Sequence, residues 1–391
     1  MTNGQNQRLG AYVETSAGGE RVLAYVPTPL PPKPALELGR FMHVYERAMA
    51  AVGRLDGVTT ILPSTPLFLY MYVRKEALLS SQIEGTQSSL SDLLLFENHE
   101  APAVELDDVT EVSNYVAAIE HGVSRMRGGF PLSLRLIREM HEILLKSGRG
   151  AAKQPGEFRR SQNWIGGTRP GNALFVPPPP HRVMDCLGAL ETFIHTDTAD
   201  LPLLVKAALV HVQFETIHPF LDGNGRLGRL LITFLMCERR ILREPLLYLS
   251  LFFKQNRQTY YEHLQAVREH GAWEAWVAFF LRGVTETAEQ GTQTAQSLLR
   301  LFSNDRGRVE QLGRPAATAL RLHQFFQRRG LTTIPDASRH LGLSQPTVTS
   351  AIAHLRALGI VRETTGRQRG KVFVYGAFLG LLSEGTDPLP R

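Results

Sequence analysis

The chain has 391 residues, 43% of them hydrophobic and 20% charged, with a formal net charge of +6 and only two cysteines. That length argues for two or three domains, and two cysteines exclude a disulfide-built scaffold and favour a reducing compartment. The opening MTNGQNQRLGAY lacks an apolar signal core, and no window reaches the roughly 18 apolar residues of a membrane span, so a soluble cytoplasmic protein without membrane contact is expected.

The segment to about Pro34 reads as extended, with a short β-like run in RVLAYV followed by five prolines that cannot continue a helix or a central strand. From Leu36 the apolar residues recur at three- and four-residue spacing, which predicts a helix. LFLYMYVRKEALLSSQIEG is a second predicted helix, stopped by Gly85, and SLSDLLLFEN a third. DDVTEVSNYVAAIEHGVSRM and SLRLIREMHEILLKS extend the series. Glycine and proline break it between Gly148 and Pro180, where WIGG and ALFVP predict a β-hairpin with an irregular turn. Helices resume at His181, at Leu203–Phe214 and from Gly225, and continue to about Gly291. Past Asn304, ATALRLHQFFQRRG is a helix, and TIPDASRHLGL with SQPTVTSAIAHLRALGI reads as a helix–turn–helix. Asp336 or Pro335 opens its first helix, Gly342 makes the turn and Ser344 caps the second. VRETTGRQRGKVFVYG then gives two strands around a basic tip, the order of a winged helix–turn–helix.

Charge is not spread evenly. Residues 301–391 hold 13 Lys/Arg against 6 Asp/Glu, and the rest of the chain is close to neutral. A polyanionic partner is therefore expected for the C-terminal segment rather than for the whole chain.

The densest chemistry lies in IHPFLDGNGRLGR, Ile217 to Arg229. Gly223-Asn224-Gly225 stands just before a predicted helix. Glycines let backbone N–H groups converge, and the helix adds free amides and the positive end of its dipole. That combination cradles phosphate. Arg226 and Arg229 lie three residues apart on one face, and two guanidiniums suit a polyphosphate. Asp222 could hold Mg²⁺ bridging the phosphates, and His218 could take a proton from an incoming hydroxyl. A metal site of His211, His218 and Asp222 is the alternative, though it leaves the nest and the arginines unexplained.

HPFLDGNGRLGR matches the Fic signature H-x-F-x-[DE]-G-N-G-R-x-x-R throughout, and the chain resembles the Fic family. The resemblance takes in GEFRRSQNWIGG and FVPPPP, which are similar to the Fic flap, and the C-terminal winged helix. It implies a mostly α fold: a Fic-type helical core with a β-hairpin flap, plus a C-terminal winged helix–turn–helix domain. The implied division is an N-terminal segment at 1–60, a Fic domain at 61–303 and the winged helix at 304–391. The implied activity is transfer of AMP from ATP, with Mg²⁺, to Ser, Thr or Tyr hydroxyls of proteins, this chain included. His218 is then the general base, Phe220 a core anchor, and Asp222 the metal ligand. Asn224 and the nest of Gly223 and Gly225 hold the α-phosphate, Arg226 the β-phosphate and Arg229 the γ-phosphate. Phosphorylating relatives replace the central glycines, and this chain keeps them.

SSQIEG, from Ser80 to Gly85, is similar to the family's inhibitory-helix pattern, in a helix expected at about 72–85. A Glu84 carboxylate paired with Arg229 would remove the γ-phosphate clamp. Asn256, Tyr260 and Tyr261 are candidates to face the adenosine, with core packing the competing reading for either tyrosine. Thr168, Leu174, Phe175 and Val176 of the flap would align a target by main-chain hydrogen bonds. Gln345, Thr347, Thr349 and Ser350 are placed for a major groove, and Arg367, Arg369 and Lys371 for phosphates, so a nucleic acid is a possible partner, as is a second copy. The rival functions are a nucleotide-sensing transcription regulator and an enzyme that removes AMP.

Overall fold

The computed structural model describes residues 8–58, 65–97, 105–197, 201–366 and 370–388. The fold is mostly helical, as the periodicity predicts. At its centre lie α7 (Leu203–Ile217) and α8 (Asn224–Glu238), packed on each other. In α7 every residue from Leu204 onward is buried. A helix buried on all sides has no solvent face, which makes this pair the middle of the bundle.

Around it stand α1 (Met42–Val58), α2 (Thr65–Ile83), α3 (Leu90–Glu97), α4 (Leu106–Arg127), α5 (Leu134–Leu144) and α6 (Pro180–His195). The shell continues with α9 (Ser250–Gln255), α10 (Arg257–His270) and α11 (Trp273–Glu310). Helix α2 packs on α4 and α9, so that its C-terminal end meets the start of α8. The 38-residue α11 runs unbroken through the expected division at 303/304, and its Trp276 indole donates to the Ala208 carbonyl at 2.9 Å. Among the described residues no helix is long and apolar enough to cross a membrane.

Two regions differ from the expectation. The extended N-terminus forms an antiparallel hairpin, β1 (Ala11–Ala17) with β2 (Glu20–Val26). Gly18 and Gly19 both take positive φ in its two-residue turn, which only glycine adopts freely. The expected flap hairpin is reduced to one isolated bridge, Ile165 to Phe175. Its tip is a short 3-10 turn at Pro170–Asn172, fastened by Asn172 accepting from Thr168 and Arg169.

The C-terminal part follows the order α12 (Ala316–Arg329), β3 (Leu331–Thr333), α13 (Ile334–Leu341), α14 (Gln345–Ala357), β4 (Val361–Glu363), β5 (Val372–Tyr375) and α15 (Gly376–Ser383), with sheet order β3-β5-β4. That is the order expected of a winged helix–turn–helix. Gly342 turns with φ 64° and the Ser344 hydroxyl caps α14, as anticipated, whereas α13 is capped by Thr333 rather than by Pro335 or Asp336.

Candidate functional site

The loop from His218 to Gly223 joins α7 to α8, and several side chains hold its shape. His218 ends α7 in the left-handed region, φ 47°, a conformation costing roughly 1–2 kcal/mol for a residue with a Cβ. Arg159 holds it there. Its Nε donates to the His218 carbonyl at 2.9 Å, its Nη2 to the Pro178 and Ile217 carbonyls, and its backbone N–H to Pro219 O. Phe220 is fully buried and lies flat on His141, ring centres 3.7 Å apart. Asn224 closes the loop by accepting from the Phe220 N–H at 2.8 Å and donating to the Phe220 carbonyl at 2.9 Å.

His141 is a buried residue that sequence reasoning missed. The Gly156 N–H donates to its Nδ1 at 2.8 Å, so its Nε2 carries the proton and donates to the Asp222 carbonyl at 3.0 Å. Burial pushes its pKa down to about 4, which keeps the ring neutral. One side chain thus ties the loop, the start of the flap region and Phe220 together.

Two buried arginines stand at the mouth of α8. Gly223 N–H and Arg226 Nη2 both converge on Asp222 Oδ1. The Arg226 guanidinium is buried, yet its Nε and Nη1 close no hydrogen bond, and Glu111 stands 3.7 Å from Nη1. Buried donors without partners suit an incoming anion. Arg229, its side chain 2% exposed, is gripped by the segment Ser80–Glu84. Its Nε donates to Ser80 Oγ at 2.8 Å, and its Nη2 to Ser80 O at 3.0 Å and to Glu84 Oε1 at 2.8 Å. Burial alone would raise the Glu84 pKa; Arg229, Arg226 and His218 outweigh it and hold the carboxyl below its ordinary value. The carboxylate rests against the nest itself, for a Cβ on Gly225 would come within 2.4 Å of Glu84 Oε1.

His218 stands beside this. Its Nδ1 is buried without a hydrogen-bond partner. Burial, then the charges of Arg268 and Arg159, push its pKa down to about 4, against smaller upward pulls from Glu84 and the Glu215 carbonyl. The ring is therefore neutral at ordinary pH, with a lone pair for a proton. Arg268, missed in the sequence, donates to Thr216 and to the Glu215 carbonyl and lies 3.9 Å over the Phe175 ring, joining α10, the end of α7 and the flap.

Residues 42–124 match the Fic/DOC family N-terminal domain and residues 131–236 the Fic/DOC family domain, whose match spans His218 and both arginines. The chain carries a Fic domain. It is 31% identical over 191 residues to the protein adenylyltransferase Fic of Aedes aegypti and 29% identical over 191 residues to that of Culex quinquefasciatus. Each match covers 48% of this chain, and the chain spans 35% of the length of either relative. A Fic family protein from Desulfovibrio desulfuricans G20 superposes with a TM-score of 0.56 at 18% identity, over 90% of this chain and 98% of that one. Fic-1 of C. elegans superposes with a TM-score of 0.50 at 21% identity, over 67% and 75%. At these identities the likeness is one of fold.

Several candidates sit differently from the sequence-based reading. Tyr260 is 1% exposed and its hydroxyl binds His211 Nε2 at 2.9 Å, so it packs in the core, the competing reading for this residue. Its spacing from Asn256 places it on a helical face, and that face points inward. Asn256 lies at the junction of α9 and α10 with its amide on the Phe252 carbonyl. Tyr261 is 40% exposed, within electrostatic reach of Glu84 and Arg229, and remains at the mouth. His211 is no metal ligand: Nδ1 donates to the Gly228 carbonyl at 2.8 Å and Nε2 is taken by Tyr260. The alternative metal triad fails on that ground.

Phe175 and Val176 are buried, and the Tyr25 N–H of β2 already takes the Val176 carbonyl. Of the four flap candidates, Leu174 and Thr168 are exposed. On α14, Gln345, Thr347, Thr349 and Ser350 are exposed over buried Val348 and Ile352. Lys371 is exposed, and Arg367 and Arg369 lie outside the described residues.

A magnesium ion needs few protein ligands when phosphates and water supply the rest. Asp222 Oδ2 has no hydrogen bond among the described residues, and the side chain is 41% exposed beside the Arg226 cradle. That donor fits such an ion.

Proposed function

We propose that this chain is a protein adenylyltransferase held inactive by Glu84. The observation that supports it best is the seat of the Glu84 carboxylate, against Gly225 and on Arg229 at the positive end of α8. A carboxylate there occupies the ground a nucleotide phosphate would take.

In this reading ATP binds with its phosphates over Gly223 and Gly225, on the unpartnered nitrogens of Arg226 and on Arg229 once Glu84 withdraws. Asn224 shapes the cradle and leaves its backbone to the ligand, because its amide is committed to Phe220. Magnesium on Asp222 would neutralise phosphate charge. A Ser, Thr or Tyr hydroxyl, from another protein or from this one, is aligned at the exposed edge near Leu174. Its oxygen attacks the α-phosphorus, the bond to the β-phosphate breaks, pyrophosphate leaves, and His218 receives the hydroxyl proton. Arg159 and His141 keep the base and the loop in place. The proposed division keeps the Fic domain at 61–303 and the winged helix from 304, joined through α11.

The test is intact-mass analysis after incubation with ATP and Mg²⁺. An AMP adduct that disappears in His218→Ala, with ATP binding retained, supports the assignment; an adduct formed at the wild-type rate by that variant defeats it. For the C-terminal unit, the exposed face of α14 and the local basic surplus favour duplex binding. Absence of salt-sensitive binding to any duplex removes that reading.

A further inference from the structure

We propose that Gln82 is the residue that positions the inhibitory Glu84, and that the C-terminal segment Gly385–Asp387 is the strap that holds Gln82. This rests on the reading of Glu84 as inhibitor and names what controls it.

Glu84 lies just past the end of α2, where a helix is least secure because its last carbonyls lack helical partners. The backbone bonds Glu84 N–H to Ser81 O and Gly85 N–H to Gln82 O form the last turn, which Gly85 ends at φ 106°. Ser80 reaches Arg229, whereas Gln82 reaches the C-terminal segment and α9. Gln82 is 1% exposed, and all three of its bonds are long-range or turn-closing. Its Nε2 donates to Ser88 O at 2.9 Å and to Thr386 O at 2.8 Å, and its Oε1 accepts from Lys254 Nζ at 2.7 Å. Lys254, buried on α9, also donates to the carbonyls of Gly385 and Asp387.

The strap is pressed tightly onto its seat. A Cβ on Gly385, which holds φ 77°, would come within 2.9 Å of Leu251 on α9. Thr386 is buried, and Glu384 is within electrostatic reach of buried Lys75 on α2. Four successive residues after α15 thus interact with α2 or α9, and Thr386 among them lies 304 positions from Gln82 in the chain.

Opening of the last turn of α2 would carry Glu84 away from Arg229. That would strand a buried amide, a buried ammonium and the Thr386 carbonyl together, and buried polar groups without partners are strongly disfavoured. The strap therefore favours the seated carboxylate, and whatever lifts residues 385–387 from α9 releases it.

The experiment measures auto-labelling of the full chain by ATP. Variants are Gln82→Ala, Lys254→Met, Lys254→Arg, a chain stopped after Glu384, Glu84→Gly, and Gln82→Ala combined with Glu84→Gly. The expected result is a rise of about fivefold or more in Gln82→Ala, Lys254→Met and the shortened chain. Lys254→Arg, which keeps a donor, stays near wild type. Gln82→Ala adds nothing once Glu84 is gone, an outcome that a merely structural role, lowering labelling in both backgrounds, does not give. Should Gln82→Ala fail to fold, Lys254→Met and the shortened chain decide. Unchanged labelling in those variants, with Glu84→Gly still raised, overturns the strap alone. No rise in Glu84→Gly overturns the inhibitory reading beneath it.

Discussion

In the proposed function Glu84 and a phosphate compete for one seat over Gly225, and two substitutions separate the consequences. Glu84→Gly removes the carboxylate and frees Arg229. Because a misplacement of about 1 Å can cost on the order of a hundredfold in rate, labelling should rise at least about tenfold. The gain should vanish when Arg229→Ala is added, since the freed guanidinium is what restores the productive pose; a gain that persists in the double variant rejects the pairing. Gly225→Ala should act in the opposite sense. Its Cβ would stand 2.4 Å from Glu84 Oε1 and 3.0 Å from Arg229 Nη1. It expels the carboxylate but fills the space a phosphate needs, so labelling should fall at least about tenfold. Radiolabel incorporation at saturating ATP distinguishes the two, and a Gly225→Ala variant as active as Glu84→Gly would show that the carboxylate and the phosphate do not share a seat.

At the level of elements, the close approach of α4 to α5 and α8 depends on Gly122. A Cβ there would come within 2.5 Å of Phe234 and 2.6 Å of Met140. Gly122→Ala should therefore destabilise the fold by about 1–3 kcal/mol through overpacking. Urea unfolding reads this directly, and an unchanged midpoint would mean the helices yield without strain. Which elements sequence could reveal follows from how local their signals are. The loop from His218 to Arg229 was legible because its chemistry is contiguous and carries its own turn residues. His141, Arg159 and Arg268 were not, because they act from distant elements, largely on backbone carbonyls, and no spacing rule reports such pairs. For Tyr260 two readings stayed open, because periodicity gives a face without saying whether that face is inside. The β1–β2 hairpin, by contrast, left a usable sign: alternating runs on either side of Gly18-Gly19.

Across the whole molecule, buried titratable groups set the response to acid. Burial lowers the pKa of His141 and His218 to about 4 and of His211 to about 3, from 6.5. Unfolded histidines bind protons more readily than folded ones, so their contribution to stability is present above pH 6.5 and is lost as pH falls. Burial raises Glu76 and Glu215 from 4.5 to about 7. Their folded forms hold protons more tightly, so their contribution is present below pH 4.5 and is lost as pH rises to about 7. The two effects oppose between pH 7 and 6, and the glutamates fade below pH 5. Stability from urea titrations should thus be nearly flat between pH 7 and 6 and fall steeply below 5; a steep loss already at pH 6 contradicts these assignments. One further property follows from α11. At 38 residues it is about 57 Å long at 1.5 Å per residue, and it carries core contacts of the Fic domain at one end and of the C-terminal unit at the other. Such a shaft transmits twist and thrust with little slack. Torque applied to the C-terminal unit would be delivered to the helical body rather than absorbed in a tether, and no protease can part the two along this helix without first unwinding it.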